Sequence, residues 1–479
     1  GNMKALKYIL AGAMAIGSYT ASFAQQDVKA QIDAITKVIA DNKKDLKAAE
    51  PLVKDYVKAN KKNAEALVGL GRAYLAIKDT LNSKKYGEMA VKVNKKYGDG
   101  WILLGDIEAL KDDGGAAAQQ YQQAIYFDPQ NPQGYIKYAW VYRGRSPQQA
   151  VEQLEQLRTI KPDYPVDAEA GHIYYLANNR EKAKEYYSKV DVNKLDKSYL
   201  SEYARALLLT GDNDKCQEVA SFGVTKYPKD VTLNRVAMLS YNSAKKYDQA
   251  IVYAETLFNK TDSLNATDLD YSNYALALQK TKQWDKAVEM YTKAMELVEG
   301  GQDAKAQVVK MISDVYKEKG DFDTSIAKYS EYIGMSSKPT AGEINGLASL
   351  YMEQAAAITG EKQIEAIKNA IATYGLLEEK YPEQAVFANF LRAKRSELLD
   401  QDRSKALAKP YYEKVASLLE AQGNLDDTDK SRLVTAYEYL AHVSVLQDNN
   451  DKAIEYCDKA LAINPSADIA TQIKNALSK

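Results

Sequence analysis

Two residue types in this chain invite a chemical reading first, because each occurs only twice: His172 and His442, and Cys216 and Cys457. His172 sits in AGHIYYLANNR beside Tyr174 and Tyr175, a neighbourhood of a base and hydroxyls that would suit proton transfer. A catalytic or metal reading needs partners at fixed spacing, and the sequence does not supply them. It contains no HExxH, no GxSxG, no CxxC and no glycine-rich loop ending in Lys-Ser/Thr. The acidic turns GDNDK (211–215) and QDNND (447–451) lack the glycine and the bidentate glutamate of a calcium loop at their required offsets. Gly69-Leu70-Gly71 follows no strand, so it reads as close packing and not as a dinucleotide turn. No cofactor and no metal site is expected, and the chain reads as a non-enzyme.

The elements that position these residues emerge from self-comparison. Residues 101–129, WILLGDIEALKDDGGAAAQQYQQAIYFDP, place Trp101, Leu104, Gly105, Ala117, Tyr121, Ala124 and Pro129 at intervals that return along the chain. The small residue recurs at Gly71, Gly105, Ala139, Gly171, Ala204, Ala237, Ala275, Ser313, Ala348 and Ala441, with Phe390 standing for it in one divergent unit. Early steps are close to 34 residues and later ones are longer. Prolines 129, 162, 228, 382 and 465 fall where a second helix must stop.

This pattern resembles the tetratricopeptide repeat, in which a large apolar residue stands at position 4, Leu at 7, a small residue at 8, Tyr at 11, Ala at 20, an aromatic at 24, Ala at 27 and Pro at 32. The resemblance implies an all-α fold, a right-handed α-α superhelix of about eleven or twelve helical hairpins closed by a C-terminal cap helix. Small residues at positions 8, 20 and 27 let helices approach. Tyr74, Tyr142, Tyr174, Tyr316 and Tyr351 at position 11, with Tyr121, Tyr187, Tyr291, Tyr329 and Tyr374 at position 24, fill the remaining space. Cys216 at position 20 and Cys457 at position 24 then read as buried small hydrophobes.

The organisation expected is a leader over residues 1–24, a degenerate hairpin over 25–60, a regular array over 61–337, a looser array over 338–466 and a cap helix over 467–479. A hinge is expected near 338–340. Lys4 and Lys7 precede an apolar run from Tyr8 to Ile16 and the small-x-small Ser22-Phe23-Ala24, which reads as a secretory signal. The chain is therefore expected to be exported, periplasmic or associated with the outer membrane.

Charge is almost balanced, at −1 overall, so nothing supports a nucleic-acid partner. In the family, positions 2, 5, 9, 12 and 13 of the first helix line a concave groove, and both histidines occupy position 9. The groove residues selected on that basis are Trp140, Arg143, His172, Tyr175, Arg205 and Tyr241, with Ser272, Gln279, Lys310 and Lys317 further along. Aromatics alternating with arginines suit an extended peptide or a partner helix. The function expected is a non-catalytic scaffold for a protein or peptide partner in the cell envelope. The alternative is a glycan-binding protein that uses the same tyrosines as stacking platforms.

Overall fold

A computed structural model describes residues 27–479, so the leader reading of 1–24 lies outside the described residues. Among them, twenty-five α-helices follow one another with no strand, from Val28–Asp41 to Asp468–Leu477. First and second helices alternate along the chain as the repeat pattern requires. The chain forms two compact units, one up to Ser240 and the other from Tyr241.

The hairpin turns show how the sequence enforces this alternation. Seven residues beyond the small position 8 in seven of the repeats, one residue takes the left-handed backbone conformation: Lys78, Asp112, Asn178, Lys282 and Asp448, or glycine at 211 and 320. That residue ends the first helix, and the next one begins the second. Asp79 accepts the Asn82 amide, Asp113 that of Ala116 and Asn179 that of Lys182, each satisfying an otherwise orphaned helix N–H.

Close approach behaves as the small residues require. Ala139, Ala204, Ala237, Ala275, Ser313, Ala348 and Ala441 are at most 1% exposed. At Gly105 an added Cβ would lie 2.4 Å from the Tyr121 ring, and at Gly71 2.5 Å from Leu103. Position 20 fastens to the position-8 carbonyl in three repeats, where Ser83 donates to Gly71, Ser325 to Ser313 and Cys216 to Ala204. Cys216 and Cys457 are buried free thiols, and burial pushes Cys216 up to about 11. The position-24 tyrosines 121, 187, 291, 329 and 374 are all at most 8% exposed.

One repeat assignment needs correction. The Tyr121 hydroxyl donates to Asp106, the residue after the close-approach Gly105, and the same relation recurs as Tyr412 donating to Glu397. The residue before Glu397 is Ser396, 3% exposed, and it fills the small position of this unit. Phe390 lies six residues earlier, half-buried, its ring edge-on to Tyr412 at 6.2 Å. The segment 399–408 between the two helices is longer than elsewhere and is tied down by Asp400, which accepts the amides of Lys405 and Leu407.

At the chain's ends of the two units, apolar surface is covered locally. In the first, Ile35 and Ile39 pack with Val53, Tyr56, Leu70 and Tyr74. In the second, the last helix lays Ala470 into the core formed with Tyr437 and Cys457, and the Ala470 amide donates to Glu438. Between its longer repeats, Thr340 and Glu343 make a reciprocal cap, and the Tyr381 hydroxyl donates to the Pro339 carbonyl.

Candidate functional site

Position 9 of the first helix is where sequence reasoning placed ligand contacts, and in the first unit these residues bind one another. Arg72 reaches Asp106 of the next repeat at 2.5 Å, and Lys137 of the repeat after that reaches both Asp106 oxygens at 2.8 and 2.9 Å. Tyr121 completes the set with a 2.6 Å bond. Burial works against the Asp106 anion, but Arg72, Lys137 and Tyr121 together hold its carboxyl below the ordinary value.

The same geometry returns with the charges exchanged. His172, which holds in its repeat the position Asp106 holds two repeats earlier, donates from Nδ1 to both oxygens of Glu202 at 2.9 Å, and Tyr187 donates to that carboxylate from the buried side. Trp140 stacks on the imidazole with ring centres 5.6 Å apart and planes 7° from parallel. The Arg143 guanidinium lies over the indole at 3.5 Å and donates to the Trp140 carbonyl. Tyr199 tilts against the imidazole at 5.4 Å while its hydroxyl donates to Glu169 at 2.9 Å.

This cluster explains AGHIYYLANNR without catalysis. The hydrogen bond to Glu202 raises His172 above its ordinary 6.5 despite burial. Burial pushes the Tyr187 and Tyr199 hydroxyls up, and the adjacent carboxylates add to it, the reverse of what an activated nucleophile requires. Among the described residues no three His, Cys, Asp or Glu side chains are arranged to hold a metal.

Of the selected groove residues, Trp140, Arg143 and His172 are thus brought together in one stack. Trp140 keeps 42% of its surface open. Tyr175 is half-exposed and Arg205 is exposed. Tyr241 belongs to the second unit, where it stacks on Tyr253 at 5.3 Å with Lys246 above its ring at 6.0 Å. The sequence reading missed Glu202 and Tyr199. Their signal was a carboxylate thirty residues after His172, as Lys137 follows Asp106 at nearly the same interval.

His442 in the second unit takes the opposite role. Arg403 donates to its Nδ1 at 2.9 Å and to Glu397 at 2.8 Å, so the imidazole accepts. Burial first, and then Arg403, holds it below the ordinary histidine value.

The open site lies in the second unit, between the helices Asp268–Lys280 and Gly301–Lys319, as a groove of about 580 Å³. It follows groove positions 2, 5, 9, 12 and 13: Leu269, Ser272, Leu276, Gln279 and Lys280 on one wall, and Asp314, Lys317 and Glu318 on the other with Met311. Ser272, Gln279 and Lys317 were selected from sequence; Lys310 is turned to the Tyr332 ring at 5.9 Å. Leu269 is 64% and Met311 40% exposed, giving the groove apolar patches. Tyr291 underlies it, donating to Gln279 at 3.0 Å. Its rim is ionic, with Lys280 and Glu318 3.1 Å apart and Lys317 3.2 Å from Glu353. Here position 9 holds Leu276 and Asp314, which do not form the inter-repeat pair seen in the first unit. Burial raises the Asp314 carboxyl, against the nearby Lys310 and Lys317. Such a surface can seat an apolar side chain and meet backbone polar groups at its margin.

Residues 434–466 match the tetratricopeptide repeat family model. Among solved structures, the chain is similar to the C-terminal part of a TPR repeat-containing protein from Cytophaga hutchinsonii. The identity is 22% over 57% of this chain and 98% of that one, with a TM-score of 0.41. A tetratricopeptide repeat protein from Parabacteroides merdae is 16% identical over 54% of this chain and 98% of its own, with a TM-score of 0.33. A structure of MamA is 26% identical over 31% and 87%, with a TM-score of 0.26. Among curated proteins nothing matches the chain.

Proposed function

We propose that this chain of tetratricopeptide repeats is a non-catalytic scaffold that holds a protein partner, through an extended segment or a helix, in the groove between Leu269 and Glu318. The observation that carries this reading is the groove itself, an open trough with exposed Leu269 and Met311 inside it and ion pairs at its edge. In the first unit several equivalent side chains engage one another instead: Arg72 and Lys137 with Asp106, and Trp140 and Glu202 with His172. An exposed apolar strip bordered by charge is what a peptide's side chains bury first, with the rim fixing register.

The scaffold acts in the cell envelope. The support is the leader pattern of Lys4, Lys7, Tyr8–Ile16 and Ser22-Phe23-Ala24. Intact mass of the chain recovered from cells checks it: cleavage after Ala24 is expected, and a retained leader counts against export.

The groove is tested by placing a photo-crosslinking residue at Met311 and, as control, at Glu289 on the exposed side of the second helix. A discrete adduct from Met311 alone is expected. Leu269→Arg with Met311→Arg should lower the affinity of that partner at least about tenfold while leaving the melting curve in place. Equal adducts from both positions would remove the groove as the binding site.

A further inference from the structure

The turn that leads from one hairpin to the next repeats its sequence once in the first unit and then changes. Asn60-Lys61-Lys62-Asn63 returns one repeat later as Asn94-Lys95-Lys96-Tyr97, and Lys58 before the first turn is matched by Lys92 before the second. In the third turn the lysines are gone, and Tyr126 stands where Lys58 and Lys92 stood. All six lysines are exposed.

The structure sets these turns side by side. Ala64, just past the first turn, shares a packed cluster with Tyr97 and Trp101 at the second. The second turn is bonded to the third, where Gly98 donates to Asp128 at 2.9 Å and Asn131 to Asp99 at 2.8 Å. Lys95 lies over the Phe127 ring at 5.4 Å, Trp101 stacks on the same ring at 5.5 Å and donates to the Lys95 carbonyl, and Tyr126 stands edge-on to Phe127 while 77% exposed. Carboxylates near this edge include Asp55, Glu65, Glu88, Asp99 and Asp128; Asp99 and Asp128 are engaged in the bonds just named, and Glu88 faces Lys84 at 4.0 Å. None of the six lysines is in an ion pair among the described residues.

We infer that this edge, Lys58, Lys61, Lys62, Lys92, Lys95 and Lys96 running into Tyr126, is a docking surface for an anionic lipid bilayer. Flexible ammonium groups without a fixed fork suit a dense, laterally mobile layer of phosphodiesters better than a single directional carboxylate or phosphate. The exposed tyrosine beside a tryptophan and a phenylalanine supplies the amphipathic rings that settle at the headgroup level. The chain as a whole is not basic, so the attraction has to come from a local cluster such as this one and not from net charge. The inference is independent of the groove, which lies in the other unit.

The test is co-sedimentation of the full chain with vesicles of neutral phosphatidylcholine and with vesicles containing about one-third phosphatidylglycerol. Binding to the anionic vesicles only, weakening as salt is raised, is expected. Lys61→Gln, Lys62→Gln, Lys95→Gln and Lys96→Gln together should reduce it by at least about 50-fold. Tyr126→Ser should reduce it several-fold without changing the salt dependence. These side chains are exposed, so an unchanged circular-dichroism melt is the control for folding; should the fourfold variant misfold, the salt titration and Tyr126→Ser decide. No vesicle binding, equal binding to neutral vesicles, binding that survives the four substitutions, or tighter binding to polyglutamate or duplex DNA than to vesicles would each overturn the inference.

Discussion

A graded test of close approach uses one substitution at three glycines. At Gly105 a new Cβ would fall 2.4 Å from the Tyr121 ring, at Gly171 3.1 Å from the Tyr187 ring, and at Gly334 it meets nothing within 4 Å. Alanine in place of glycine stabilises a helix by about 0.5–1 kcal/mol, and this gain is common to all three. Against it stands overpacking of about 1–3 kcal/mol where the ring cannot retreat. Tyr121 cannot easily retreat, because it is buried and its hydroxyl is held 2.6 Å from Asp106. Withdrawing the ring would break a bond to a charged group, itself worth about 1.5–3 kcal/mol. Gly105→Ala should therefore lose a net of about 0.5–2.5 kcal/mol and Gly171→Ala should end within about 1 kcal/mol of the parent. Gly334→Ala, near the end of its helix, should gain a few tenths to about 1 kcal/mol. Repeat arrays open locally, so the readout is hydrogen exchange on the two helices flanking each site, with urea unfolding alongside. If Gly105→Ala protects Gly98–Leu110 and Gly114–Phe127 as well as or better than the parent, the packing account is refuted.

Other outcomes follow from the same geometry. His172 is raised in the folded chain, so its stabilisation is complete below 6.5 and is lost as pH rises through the folded value; Glu202→Gln should move its imidazole NMR titration to lower pH. His442 is lowered, so its contribution is present above 6.5 and is lost as pH falls through the folded value; Arg403→Gln should raise its titration midpoint. Lys282→Gly and Asp112→Gly relieve a left-handed backbone at a hairpin turn and should each stabilise locally by up to about 1 kcal/mol, seen as slower exchange of the adjoining helices. Cys216 should resist a thiol reagent in native buffer and react on unfolding, because it is buried and its thiol is pushed up to about 11.

Much of the fold is written in single positions that accept few residue types. The small positions and the position-24 tyrosines are set by contact distance, and a 34-residue rhythm of such constraints can be read without coordinates. Phe390 went astray for an identifiable reason. The long 399–408 segment breaks the rhythm, and only the Tyr412 bond to Glu397 shows that the small position is Ser396. The site was less legible. Groove positions say which face a residue takes, but whether it is available depends on a neighbour about thirty residues away. Trp140, Arg143 and His172 looked like a track for a ligand, and Glu202 and Tyr199 turn them largely toward each other. The groove at Leu269–Glu318 is open because Leu276 occupies position 9 there, and no motif marks an aliphatic residue as functional.

The exchange of charge between the Asp106–Lys137 and His172–Glu202 pairs gives the array a grammar. At these two seams a repeat is not a neutral brick: it offers its neighbour an acid or a base and meets the complement. Removing the single repeat that carries Lys137 would set Glu169 in its place beside Asp106, acid to acid, with Arg72 and the incoming His172 as the bases at hand. Shortening or reshuffling this chain should therefore be costlier at these junctions than at others, and a duplicated repeat fits there where the new neighbour brings the opposite charge. At these two seams the order of otherwise similar modules is thus favoured by electrostatics, independently of whatever the array binds.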